Sequence, residues 1–280
     1  VNGWRFAFTR RWAGYLAITI LFAAVSSGLG TWQLARRAEA RAEISRVDTN
    51  YDARPVPVAE ALDDLDAFDD SQKWLPVELN GTYLTDEQML VRNRPLNMSP
   101  GFEVLTPILM EDGSVFIVDR GWLPTGQEQD APDDVPAPPE GQVTVVARLK
   151  AAEPSLPGRS ARGNQVATIN LTDIAGRLDL PVYTGAYGLL ASEDPAVAAT
   201  PVLSTRPERD EGPHLSYAFQ WFVFALLAFV GLGWAVREEY RSVNADDPEE
   251  RERAAERARR KAARPLSDAD AEDALLERRL

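Results

Sequence analysis

Cysteine is absent from this 280-residue chain, and histidine occurs once, at His214. Lysine is confined to Lys73, Lys150 and Lys261. Without cysteine there is no disulfide framework, no thiolate cluster and no cysteine nucleophile. A single histidine excludes His-rich metal sites and the paired-histidine zinc helix, and a Ser-His-Asp triad would have to use His214. Positive charge is scarce in the middle of the chain. Residues 48–213 carry 28 Asp and Glu against 12 Lys and Arg, a balance of −16. Such a balance argues against binding nucleic acid or anionic headgroups. Arginine supplies most of the cationic charge and alanine is abundant, a usage expected of a GC-rich bacterial genome.

Two apolar runs stand against this background. The first covers residues 12–34 and the second 214–236, where Gln220 is the only strongly polar interior residue. At 1.5 Å per residue, runs of about 20 residues span the roughly 30 Å hydrocarbon layer of a bilayer. Both therefore read as transmembrane helices. Thr9-Arg10-Arg11 followed by Ala24-Val25-Ser26 also resembles a twin-arginine export signal with a cleavage site. The apolar character continues past that site, and aromatic residues sit at both ends of the run, as in a retained anchor. Arg5, Arg10 and Arg11 precede the first run, and Arg237 and Arg241 follow the second. The positive-inside rule then puts residues 1–11 and the charged tail 237–280 in the cytoplasm, although Arg36, Arg37 and Arg41 oppose it. The region 35–213 is extracytoplasmic on this reading.

Within it, short β-branched runs bounded by Gly, Pro and Asp predict strands at 77–83, 89–93, 102–110, 114–119, 143–149, 183–190 and 202–204. Glu111-Asp112-Gly113 is a hairpin turn signal. Short helices are predicted at 58–62 and from Asn170 to Ala175, and the Pro- and Asp-rich stretch 127–140 reads as an exposed loop. The expected fold is a membrane protein with two transmembrane α-helices flanking a mainly antiparallel β (α+β) domain. The tail 248–280 is charged and helix-prone, either solvated or partly disordered.

Little here suggests catalysis. Paired acids such as Asp63-Asp64 and Asp133-Asp134 fall in loops and lack a calcium-ligand spacing. His214 has two readings. It is an ordinary interfacial residue at a helix start, or it belongs to a polar and aromatic cluster. His214, Tyr217, Ala218 and Trp221 share one helix face, and an antiparallel pair of helices brings Trp32, Gln33 and Arg36 near His214, Tyr217 and Gln220, with Ala24, Ser27, Gly28 and Thr31 allowing close approach. Such a cluster can ligate a haem iron through His214, with Arg36 near the propionates. Arg92, Arg94 and Arg120 lie in apolar strand contexts; each either pairs with a carboxylate on the sheet or contacts a partner.

The motifs add up to a resemblance. LGTWQL at 29–34, VELNGTY at 77–83, LVRNRP at 90–95, PGFEVLTP at 100–107, VDRGWLP at 118–124, PVY at 181–183 and GPHLSYAFQWF at 212–222 resemble, in order, the Surfeit locus protein 1 (Shy) family. Two departures are visible: Asp119 stands where the family usually has Asn, and residues 38–40 lack its frequent aromatic-basic pair. The resemblance implies a bacterial plasma-membrane assembly factor, not an enzyme, for haem-copper cytochrome c oxidase in the aerobic respiratory chain. It would act on subunit I and neighbouring subunits and assist insertion of haem a. It implies His214 as a transient haem ligand, with Trp32, Gln33, Tyr217 and Trp221 as neighbours; the residues themselves add Arg36 to that cluster and give Arg92, Arg94, Arg120 and Trp122 as contacts to a partner, the arginines alternatively to a cofactor's propionates. The competing reading is a stable accessory subunit of the oxidase or of a respiratory supercomplex, without haem transfer.

Overall fold

The computed structural model describes residues 3–127, 130–159 and 161–263. They form two compact units: the described residues up to Ala38 together with those from Gly212 on, and Glu39–Glu211.

The first unit is helical. Helix α1 (Arg10–Asn50) is a single element of 41 residues, about 60 Å long, that contains no proline. Its turns from Glu39 onward belong to the second unit. Helix α4 (His214–Val243) is the other long helix, and both are long and apolar enough to cross a membrane. A later helix, α5 (Pro248–Ala262), is laced by the ion pairs Arg253–Glu249 and Arg260–Glu256 at i,i+4 spacing. The helical part of the tail expectation thus falls at α5, while 264–280 lies outside the described residues.

The second unit is a β domain. Its elements are β1 (Val56–Pro57), α2 (Val58–Ala61), β2 (Pro76–Tyr83), β3 (Met89–Val91), β4 (Gly101–Met110), β5 (Val115–Pro124), β6 (Gln142–Ala151), β7 (Gln165–Val166), α3 (Leu171–Ala175) and β8 (Ala186–Asp194). The sheet runs β1-β2-β6-β8-β5-β4-β3-β7, and β2 also pairs with β4. That extra pairing closes β2, β6, β8, β5 and β4 into a five-stranded barrel. All its pairs are antiparallel except β5 with β8. Closure depends on Gly81, where a Cβ would stand 2.2 Å from the Leu109 carbonyl oxygen. Only glycine admits that approach.

Strand alternation sorts the apolar residues into two layers. Phe116 and Val118 face a core that includes Val77, Leu79, Val145, Ala147 and Leu149. Val115 and Ile117 face a second core with Leu171, Ile174 and Tyr187. Val47 and Tyr51, from the end of α1 and just beyond it, join this second layer. Both faces of β5 are thus covered, which is why it reads as a continuous apolar run. Helix α3 is capped by Asn170, whose Oδ1 accepts from Asp173 N at 2.9 Å, and it buries Leu171 and Ile174.

Several predicted boundaries move. The strand expected at 114–119 continues to Pro124 because Arg120 is enclosed rather than solvent-facing. The strand expected at 89–93 stops at Val91, since Asn93 turns to φ +60°. The one expected at 183–190 begins at Ala186 and runs to Asp194. Of 202–204, only Val202 pairs, with Trp122. The proline-rich stretch read as an exposed loop is held down, with Pro138 and Pro139 buried.

Candidate functional site

In the helical unit the seam between α1 and α4 is built from small residues. Ser26 and Gly30 on α1 and Ala218 on α4 are buried. A Cβ at Gly30 would lie 2.8 Å from Cζ of Phe222. The backbones therefore approach as closely as a glycine allows, the pattern expected of helices without a hydrophobic drive to associate. Ser26 Oγ is buried with no hydrogen-bond partner among the described residues.

One turn beyond Gly30 on α1 is Gln33, and one turn before Ala218 on α4 is His214. The seam brings them together, with His214 Nδ1 2.8 Å from Gln33 Oε1. Both side chains are half-buried. The other side of the imidazole faces Gly212, whose φ of +67° suits glycine. A Cβ there would stand 3.3 Å from both Nε2 and Cδ2. Of the remaining residues expected in this cluster, Trp32 and Tyr217 are about half exposed and Arg36 is exposed. Trp221 packs edge-on against Phe224, with ring centroids 5.9 Å apart. The structure therefore joins His214 to Gln33, while Trp221 is engaged with a neighbour on its own helix.

The opposite end of α4 carries features not anticipated from sequence. Trp4 stacks on Tyr240 at 4.3 Å, Gly3 N donates to Asn244 Oδ1 at 3.1 Å, and Arg11 pairs with Glu239. A weak sequence signal existed in the aromatic residues flanking Arg5.

In the β domain, the LVRNRP and VDRGWLP motifs converge on a cleft of about 530 Å³. Arg94 Nε lies 2.9 Å from Glu103 Oε2, and Arg94 also pairs with Glu153. Trp122 Nε1 donates to the Arg94 carbonyl at 2.6 Å and fixes the loop that carries it. Asp119 forms part of the floor and accepts from Gly121 N at 3.0 Å. Burial pushes its carboxyl up to about 8, with the nearby Glu103 charge acting in the same direction. Burial likewise raises Glu103.

The arginines expected to touch a partner are engaged internally. Arg120 is fully buried. It donates to the Pro136 carbonyl at 2.8 Å and pairs with Glu193 at 3.3 Å. Glu193 in turn accepts from Tyr83 Oη at 3.0 Å. An enclosed side chain offers no face to a partner, so the expectation for Arg120 is corrected to a pin on the proline-rich loop. Arg94, Arg92 and Trp122 are half-buried.

A third cluster anchors the lower turns of α1. Glu43 accepts from Lys73 Nζ at 2.6 Å, Trp74 Nε1 at 2.9 Å and Arg46 Nη2 at 2.7 Å. Burial alone would raise its pKa; these donors and the Lys73 charge outweigh it and hold the carboxyl down to about 2. Arg206 and Arg209 both reach Asp48, at 3.3 and 2.8 Å.

Comparison with known proteins identifies relatives of the chain. The SURF1 family model matches residues 20–226. A SURF1-like protein of Mycobacterium tuberculosis is 32% identical over 246 residues, 85% of this chain and 89% of that protein. The cytochrome oxidase assembly protein SHY1 of Saccharomyces cerevisiae is 31% identical over 110 residues, 39% of this chain and 27% of its own length. A SURF1-like protein of Drosophila melanogaster is 25% identical over 232 residues, covering 72% and 71% of the two chains.

Proposed function

The chain belongs to the SURF1 family, and from that premise we propose that it assists the assembly of haem-copper cytochrome c oxidase by holding haem a through His214 for insertion into subunit I. The name of its yeast relative supports the assembly role. The observation that carries the haem role is the placement of the chain's one imidazole. Its Nδ1 is held by Gln33 Oε1 at 2.8 Å, and Gly212 lies beside Nε2, where a Cβ would stand 3.3 Å from it. An imidazole with one nitrogen held and a lone pair on the other fits a haem iron as a donor, so His214 would hold the group and Gln33 would orient the ring. Bound there, the iron would accept the imidazole lone pair. Trp32 and Tyr217, both half-exposed, supply aromatic surface within one turn of Gln33 and His214 on their own helices.

On this reading α1 and α4 cross the bacterial plasma membrane. Both termini are cytoplasmic, where Arg5, Arg10, Arg237 and Arg241 favour that side. The β domain is extracytoplasmic and presents the rim of its cleft, with Asn97 and the fully exposed Met98, to oxidase subunits.

The test is a titration of the full chain, purified in detergent, with haem a, followed by its Soret absorbance. His214→Ala is expected to lose the ligand-dependent spectrum, and oxidase matured with that variant to be deficient in haem a. An unchanged spectrum and stoichiometry in His214→Ala removes the ligand role. Co-purification with the oxidase in fixed stoichiometry, with oxidase haem content intact in the variant, would instead mark an accessory subunit.

A further inference from the structure

We infer that Gln33 is a positioning residue that sets the tautomer of His214, keeping the proton on Nδ1 and the lone pair on Nε2. A neutral imidazole carries one N–H and one lone pair, and the carbonyl oxygen of a glutamine side chain only accepts. With Oε1 2.8 Å from Nδ1, the proton of that contact belongs to the ring. Nε2 is then the ring nitrogen that keeps its lone pair, and it lies beside Gly212, where a Cβ would stand 3.3 Å away. Solvated histidine side chains favour the opposite tautomer, with the proton on Nε2. Without Gln33 the ring would favour the form with its proton on Nε2, and that proton would have to move to Nδ1 before Nε2 could ligate.

Three features make the contact a property of the fold. Gly30 and Ala218 bring the helices together one turn from each partner, so the distance between Gln33 and His214 follows from the seam. Gly212 at φ +67° turns the chain immediately before the helix, where a larger residue would be strained and would press on the ring. The acceptor is also neutral. A carboxylate in place of Gln33 would make the imidazole a stronger base and tighten its hold on a metal. An amide orients the ring without that strengthening, which suits a protein that must release its cargo. The metal-binding half of this inference rests on the proposed function; the tautomer does not.

The single histidine makes the test clean, because ¹⁵N-histidine labelling of the full chain in detergent gives signals from one ring. Without added haem, at a pH where the ring is neutral, the wild type should show a protonated Nδ1 and an unprotonated Nε2. Gln33→Leu should move the proton to Nε2, and Gln33→Glu should keep it on Nδ1. Titration with ferric protoporphyrin should then show binding weakened by about 10–100-fold in Gln33→Leu, and at least wild-type binding in Gln33→Glu. A wild-type proton on Nε2, or a Gln33→Leu ring identical to the wild type, overturns the inference. Tautomers that respond as stated, in a protein that binds no porphyrin in any variant, sustain the role of Gln33 and sink the haem reading.

Discussion

Replacement of Arg120 by methionine discriminates between the two roles its sequence context leaves open, contact with a partner and pairing with a carboxylate of the sheet, of which the structure shows the second. The Arg120 and Glu193 side chains are 0% and 4% exposed. Removing one member of a buried ion pair leaves the other charge uncompensated, at a cost of about 3–5 kcal/mol. The bond to the Pro136 carbonyl is lost as well, but it belongs to the same network and does not add independently. With a urea slope of about 2 kcal/mol/M, the unfolding midpoint of the β domain should fall by about 2 M. The full chain in nonionic detergent, followed by tryptophan fluorescence, reports this through buried Trp74. The second measurement is the double variant Arg120→Met, Glu193→Gln, in which the stranded charge is gone and Tyr83 Oη keeps an acceptor. It should recover about 2 kcal/mol or more relative to the sum of the single losses. A single-variant loss below about 1 kcal/mol, or strict additivity, would refute the buried network. So would an unchanged midpoint accompanied by weakened association with oxidase subunits, the outcome a surface contact would produce.

Asp119, held protonated up to about 8 against an ordinary value of 3.8, binds a proton in the folded state that the unfolded chain releases. Its contribution to stability should therefore fall as pH rises from about 4 through 8, and Asp119→Asn should flatten that slope in urea titrations across the range. Glu43 has the opposite sign. Its carboxyl is held at about 2 against an ordinary 4.5, so the stability it adds is present above 4.5 and lost as pH falls through 2. Acid unfolding of Glu43→Gln should accordingly be less steep than that of the wild type between those limits. Gly30→Val should drive a side chain into the Phe222 ring and disturb the ¹⁵N signals of His214, and Phe222→Ala in the same chain should restore them.

Legibility in the sequence followed the range over which each feature is decided. The strands β2, β4 and β6 were visible because alternation and flanking turn residues are local. Barrel closure was not, since it needs β2 to meet β4 where Gly81 admits the Leu109 carbonyl, and the sequence shows a glycine without what approaches it. The same limit explains Arg120. A charged residue in an apolar run reads as the end of a strand; its burial is decided by Glu193, 73 positions away, and by the proline-rich loop that closes over it. Arg94 is likewise matched by Glu153, 59 positions distant.

Gln33 and His214 are separated by 181 positions, farther than either of those pairs, yet their meeting was foreseeable. The difference is physical. Two antiparallel helices of fixed rise, whose apolar runs stop at the same boundary, convert chain position into height. No count of the residues between them is required. What counting heights could not supply is the orientation of the ring. That depends on a positive φ at Gly212, on a seam close enough for Phe222 to touch Gly30, and on an amide oxygen aimed at Nδ1. The sequence therefore identified one pair that meets, Gln33 and His214, and the coordinates add which ring nitrogen is held, Nδ1.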